Sequence, residues 1–377
     1  MPGSLRLGKL AGIDISIHVS WLIVFLLLTW SLATNWFPVL YPGWAVLTYW
    51  TIAAVASLLL FAAVLAHELA HSLVARWRGL PVKNITLYIF GGVSNIEQEP
   101  KSPGVEFQMA FVGPLTSLLI GGLSYLLLLA LHGGTSPLAA LLGYLALSNI
   151  LLGLFNLIPG FPLDGGRVLR SIIWKISSNL RTATRAATLV GQGIAYLFIF
   201  TGIWLIFAGY LLDGLWITFI GWFLLSGAQS ANSQMVLETM FKGVTVGEIM
   251  NTTPNTVPAN ISLQKLVDDF LLPHGWRNAF VMQLDQLVGL VTLSDIRHIP
   301  RDKWAVTPVG FAMIPQEKLH AVSPRQSLIE VLPLMVERDV NQVPVVDNDH
   351  LVGVLSREDI VRSLEIRQGL GLEARDR

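Results

Sequence analysis

Cysteine is absent from the sequence, which excludes disulfides, thiolate zinc sites and a cysteine nucleophile. Any reactive centre must therefore be built from His, Asp, Glu or hydroxyl groups. Charge is scarce as well, at 13% of 377 residues, and the 25 Lys and Arg balance the 25 Asp and Glu. No basic excess argues for nucleic acid, and no nucleic-acid partner is expected. What fills the chain instead is apolar, 53% of it, more than a soluble protein usually carries. An integral membrane protein is expected, with the lipid bilayer as its first partner. The N-terminus lacks the brief apolar core and small-residue cleavage site of a secretory signal, so the first apolar run is expected to be retained.

Six apolar runs are long enough to span. They lie at about Ile17 to Thr34, Ala45 to Val74, Val105 to Leu131, Leu138 to Ile158, Thr188 to Ala208 and Leu211 to Ser226. A partly alternating stretch, Leu5 to Ile17, reads as a short hairpin before the first run. Between the second and third, residues Val82 to Ile96 are rich in β-branched and aromatic side chains and are split by Gly91-Gly92, which reads as two strands around a turn or kink. The uncharged segment from Trp36 to Trp44 reads as a connection.

An even number of spans puts both termini on one side. The loops on that side hold Arg76, Arg78, Lys83, Lys101, Arg167, Arg170, Lys175, Arg181 and Arg185, with Arg6 and Lys9 before the first span, whereas the three opposite loops hold no Lys or Arg. That asymmetry makes the termini and everything after the sixth span cytoplasmic.

The second run ends in His67-Glu68-Leu69-Ala70-His71. On a helix, residues four apart share one face, so two imidazoles can meet one metal while Glu68 stands beside them to take a proton from the attacking water. Ionisable groups at membrane depth are costly and mark function. Two histidines need a third protein ligand if zinc is to keep one position open. Asp164 is the best candidate, in Asn156-Leu157-Ile158-Pro159-Gly160-Phe161-Pro162-Leu163-Asp164-Gly165-Gly166-Arg167, where the fourth run breaks into Pro and Gly. Broken backbone at that depth is tolerated only in protein or against a wet cavity. His18, His132, His274, His298, His320 and His350 lack partners at ligand spacing.

His67-Glu68-x-x-His71 together with Asn156-x-x-Pro159 and Leu163-Asp164-Gly165 resembles the site-2 protease family (peptidase M50 type) of intramembrane metalloproteases. Gly113-Pro114-Leu115, Phe90-Gly91-Gly92 and Ile17-His18-Val19-Ser20 add to the likeness, which covers residues 1 to about 227. The resemblance implies one zinc ion per chain on His67, His71 and Asp164, with Glu68 as general base. It also implies that Asn156 helps hold substrate or oxyanion, and that the substrate is a membrane-spanning or membrane-associated protein. The PDZ insertion of that family is absent, as in its compact members with C-terminal regulatory modules. An unwound substrate needs backbone partners, and strand addition at Ile85, Leu87, Ile89, Gly91 and Gly92 can supply them.

From Gly243 the composition turns to that of a soluble α/β chain with an internal repeat of about 60 residues. Gly289-Leu290-Val291-Thr292-Leu293-Ser294-Asp295 is answered by Gly353-Val354-Leu355-Ser356-Arg357-Glu358-Asp359. The pair resembles tandem CBS domains. That likeness implies a regulatory adenine nucleotide (ATP, ADP or AMP) at Thr292, Asp295, Ser356 and Asp359, and a homo-oligomer is expected. Ser, Thr and Asp in a first helical turn are equally plain caps.

The fold class expected is thus a six-helix polytopic membrane protein with short β-hairpins and a C-terminal α/β tandem CBS domain. Its boundaries are 1–228 for the metalloprotease domain, 229–243 for a linker, 244–300 and 304–367 for the CBS domains, and 368–377 for a tail. The rival reading is a CBS-gated transporter or channel whose polar cluster binds a transported cation. The histidine motif paired with a distant Leu-Asp-Gly favours the protease.

Overall fold

The computed structural model describes residues 4–88, 91–96, 98–132, 134–241, 243–284, 286–348 and 350–370. They form two compact units, Met1–Met235 and Val236–Arg377.

The first unit begins with the hairpin β1 (Ser4–Leu10) and β2 (Ile13–His18). Ala11 and Gly12 between them both have positive φ, as tight hairpin turns require. β2 then pairs in parallel with β3 (Val82–Tyr88), and β3 pairs antiparallel with β4 (Gly91–Ile96). The sheet order is β1-β2-β3-β4. Ile13, Ile15 and Ile85 are buried in it against Leu65 and Leu69, so the sheet rests on the helix that carries the histidine motif.

The first span, Val19–Leu40, is longer than the sequence suggests. It comprises α1 (Val19–Ser31), a π-helical turn Leu32–Trp36 and α2 (Phe37–Leu40). Pro38 cannot donate to a regular helix, and the π-helical turn just before it absorbs the mismatch. The aromatic segment read as a connection is therefore helix from Trp36 to Leu40 and loop from Tyr41 to Trp44. α3 (Val46–Trp77) has 32 residues, about 48 Å at 1.5 Å per residue, against a hydrocarbon layer of about 30 Å. A helix of that length tilts in the apolar layer or extends beyond it.

α4 (Pro103–Ala130), α5 (Pro137–Asn156), α6 (Asp164–Ser177), α7 (Leu180–Phe207) and α8 (Leu211–Phe241) follow. Among the described residues six helices are long and apolar enough to cross a membrane, and α6 is not one of them. Many of the faces that these helices bury are made of small residues, among them Ala53, Ala56, Ala110, Ser117, Ala139, Ala140 and Ala187. Small side chains let helices approach closely where lipid supplies no hydrophobic drive. α8 continues to Phe241 as helix, so the connection read at 229–243 is helical over most of its length.

In the second unit β5 (Thr256–Pro258), β6 (Asn278–Gln283), β7 (Gln286–Thr292) and β8 (Ile314–Pro315) make one sheet, and β9 (Gln342–Asp347) with β10 (His350–Ser356) make another. Each repeat has its own core, around Leu263, Val281 and Val291 in the first and Leu328, Val345 and Leu355 in the second. Phe280, Leu287, Leu290 and Val354 join the two.

Candidate metal centre and its surroundings

His67 and His71 stand on one face of α3, both buried, with ring centroids 4.8 Å apart. The first residue of α6 completes the group: Asp164 Oδ2 lies 3.1 Å from His67 Nε2 and 3.2 Å from His71 Nε2. Among the described residues these are the three His, Asp or Glu side chains placed to hold a metal, their ligand atoms all within 4.8 Å of one another. Each ring is oriented from behind. The His67 Nδ1 contacts Ser117 Oγ at 2.9 Å, and the His71 Nδ1–H donates to the Met109 carbonyl of α4. A proton fixed on Nδ1 leaves the Nε2 lone pair for a metal.

α4 also makes the room. A Cβ built on Gly113 would overlap His71 Nε2 and stand 2.7 Å from His67 Nε2, so only glycine keeps open the space into which both nitrogens point. The donor set, two imidazoles and a carboxylate, is one that zinc takes, and tetrahedral ligands about 2.0–2.1 Å from zinc lie about 3.3 Å apart. The observed separations of 3.1 and 3.2 Å fit that requirement.

Asp164 lies outside the six spans. Burial alone would raise its carboxyl, but hydrogen bonds from the Nε2–H groups of His67 and His71 outweigh burial and hold it well below the usual carboxylate range; a metal bound there would take the place of those Nε2 protons and need the same ionised carboxylate. α6 is fastened at its second turn. Arg170, buried, bonds Glu106 of α4 at 2.5 Å and Glu99 at 3.4 Å, and lies over the Phe161 ring at 5.4 Å. Arg170 is thus a buried partner of Glu106 and drops out of the set of loop charges. Its pairing ties the helix that delivers Asp164 to the helix that orients both histidines.

Glu68, half-buried, follows His67 and turns toward β4, where Ser94 Oγ donates to its Oε2 at 2.8 Å. Asn156 ends α5, and its amide donates to Leu152 O at 3.0 Å, one turn back, instead of to a member of the metal cluster. The strand residues divide. Ile85 and Leu87 are buried on β3, an inner strand whose two edges are taken by β2 and β4, so backbone pairing with a substrate at those two residues is corrected. Gly91 and Gly92 lie on β4, the edge strand. Ile89 lies outside the described residues.

In the second unit Thr292 and Asp295 form a reciprocal cap, the hydroxyl donating to Asp295 Oδ2 at 2.6 Å, and Ser356 and Asp359 repeat it at 2.5 Å. Ser356 and Asp359 also line a cleft of about 530 Å³ with Asn251, Thr252, Asn278 and Gln342. Thr292 and Asp295 are not among the residues lining it.

The model of peptidase family M50 matches residues 55–136 and 133–200, and that of the CBS domain matches 246–302 and 312–366. The chain is 34% identical over 374 residues to sll0528 of Synechocystis sp., covering 97% of this chain and 96% of that one. It is 30% identical over 366 residues to Zinc metalloprotease MJ0392 of Methanocaldococcus jannaschii, covering 97% of each. Both relatives carry zinc metalloprotease names. The solved Site-2 Protease from Methanocaldococcus jannaschii aligns at 32% identity over 61% of this chain and 95% of its own, with a TM-score of 0.42.

Proposed function

Since the chain belongs to peptidase family M50, as a zinc metalloprotease of the site-2 protease type with two C-terminal CBS domains, we propose that it hydrolyses peptide bonds within or beside the membrane-spanning segments of its protein substrates. The observation that carries this reading is the convergence of His67, His71 and Asp164 at the end of an apolar helix, with Glu68 in the adjoining position. Zinc, when bound there, supplies a Lewis acid that polarises a carbonyl and acidifies water. Glu68 accepts the proton of the attacking water and returns it to the leaving amine. Asn156, at the end of α5, holds substrate near the centre.

A spanning substrate must unwind to expose a carbonyl, and its freed N–H and C=O groups need partners. β4 offers the edge for them, with Gly91 and Gly92 at its start. The distribution of Lys and Arg supports a cytoplasmic location for both termini and the CBS pair even with buried Arg170 left out, since the three opposite loops hold none. The polar cleft at Ser356 and Asp359 supports an adenine nucleotide in the CBS pair as regulator. A ligand there acts only through its different affinity for two arrangements of the pair, typically a 5- to 150-fold effect.

Reconstitution in vesicles with a model spanning substrate, followed by mapping of the product ends, tests the main reading. Cuts within or next to the spanning segment are expected. Ion flux without cleavage would favour the transporter reading. Calorimetry of the full chain with ATP, ADP and AMP, alongside cleavage rates across nucleotide concentrations, tests the regulator: binding with a change in rate is expected, and no heat with any of them removes it.

A further inference from the structure

β4 meets α3 beside the histidines through Ser94, which bonds both Glu68 and Ser72. Ser94 Oγ donates to Glu68 Oε2 at 2.8 Å, lies 3.3 Å from the Glu68 carbonyl oxygen, and accepts from Ser72 Oγ at 3.1 Å. Ser72, one turn beyond Glu68 on α3, is fully buried. Two residues before Ser94, on the same face of the strand, Gly92 comes so near that a Cβ there would overlap Glu68 Cγ and lie 3.1 Å from its Cδ. Val93 and Asn95 point the other way and are exposed. Alternate positions of one short strand thus close on the side chain of Glu68. The strand is also the last in the sheet, with β3 on one side only.

We propose that Ser94 is the positioning residue for Glu68, and that through it the placement of the carboxylate depends on β4. The proposal rests on the reading of Glu68 as the base. A glutamate on an open helix face rotates about three bonds, and a base must stand within hydrogen-bond reach of the proton it takes. By donating to Oε2, Ser94 holds one carboxylate oxygen and leaves Oε1 for the water. Ser72, which donates to Ser94, orients that hydroxyl toward the carboxylate. Because the strand that holds Glu68 is an edge strand of its sheet, a substrate strand added to β4 bears directly on the residue that orients the base. Occupation of the edge then sets turnover as well as binding.

A plain tie between strand and helix would show in folding and metal content, whereas a positioning role shows in kcat. Ser94→Ala, assayed on the full chain with a model spanning substrate, is expected to keep one zinc per chain and the wild-type KM while kcat falls about 10- to 100-fold, the range for losing a hydrogen bond to a charged group. Ser94→Thr keeps the hydroxyl and is expected to recover most of that loss, and Ser72→Ala to lower kcat by a smaller factor. A kcat for Ser94→Ala within about twofold of wild type, a change in KM alone, or Ser94→Thr as impaired as Ser94→Ala overturns the proposal. If Ser94→Ala loses zinc or does not fold, the decision passes to Ser72→Ala, where an unchanged kcat overturns it. Glu68→Gln is assayed beside them: if it cleaves like wild type, the reading of Glu68 as base fails, whatever the Ser94 variants do.

Discussion

Replacing Gly113 by alanine adds one methyl group where the two imidazoles converge. The added Cβ would overlap His71 Nε2 and sit 2.7 Å from His67 Nε2, against an ordinary contact of at least 3.4 Å. His67 must retreat by roughly 0.7 Å and His71 by more, whereas metal–ligand distances tolerate about 0.2 Å. The rings cannot retreat freely, because Ser117 and the Met109 carbonyl hold their Nδ1 atoms. Loss of an outer partner typically costs 10- to 100-fold in metal affinity, and displacing the ligands themselves should cost more than 100-fold. The helix itself gains, since Gly→Ala inside a helix is worth about 0.8–1 kcal/mol. Gly113→Ala should therefore purify with far less than one zinc per chain, while its metal-free form still folds, because the overpacking cost of about 1–3 kcal/mol is partly offset by the helix gain. Gly122→Ala is the control, because a Cβ there meets nothing within 4 Å. Metal analysis and a zinc titration followed by thermal melting decide the matter. Full occupancy at wild-type affinity in Gly113→Ala would refute the account of how this space is kept.

Asp164→Ala should lose zinc and activity together, and full zinc occupancy by metal analysis would remove it as third ligand. Arg170→Ala strands the buried Glu106 carboxylate, and breaking such a pair costs about 3–5 kcal/mol. A loss under about 1 kcal/mol in denaturant melts would place the anchoring of α6 elsewhere. An extended apolar peptide should inhibit cleavage competitively through the β4 edge, and its alternately N-methylated analogue should not; equal inhibition by both would argue against strand addition.

The spans and the histidine motif were legible because membrane helices and i, i+4 pairs are local patterns, and Asp164 followed from a Pro- and Gly-broken run. What surrounds them was not local. Ser117 and Met109 meet the histidines across 50 and 38 residues, and Ser94 meets Glu68 across 26. Single serines and a backbone carbonyl carry no signal of such pairing. Arg170 read as one more loop charge because its partner Glu106 is 64 residues away. Whether β3 or β4 has the open edge depended on β2, about 70 residues earlier, joining β3 in parallel. The length of α8 was hidden by composition, since its polar end from Gln229 looks like a linker while continuing as helix to Phe241.

The central claim is that a zinc held by His67, His71 and Asp164 and a base at Glu68 cut a spanning substrate. Its most direct test is one assay of wild type and Glu68→Gln, each with zinc counted. Wild type should cleave, lose cleavage on chelation and regain it with zinc, while Glu68→Gln should keep one zinc per chain, bind the substrate and leave it intact. Cleavage that survives chelation, or Glu68→Gln turning over at the wild-type rate with its zinc in place, would contradict the account.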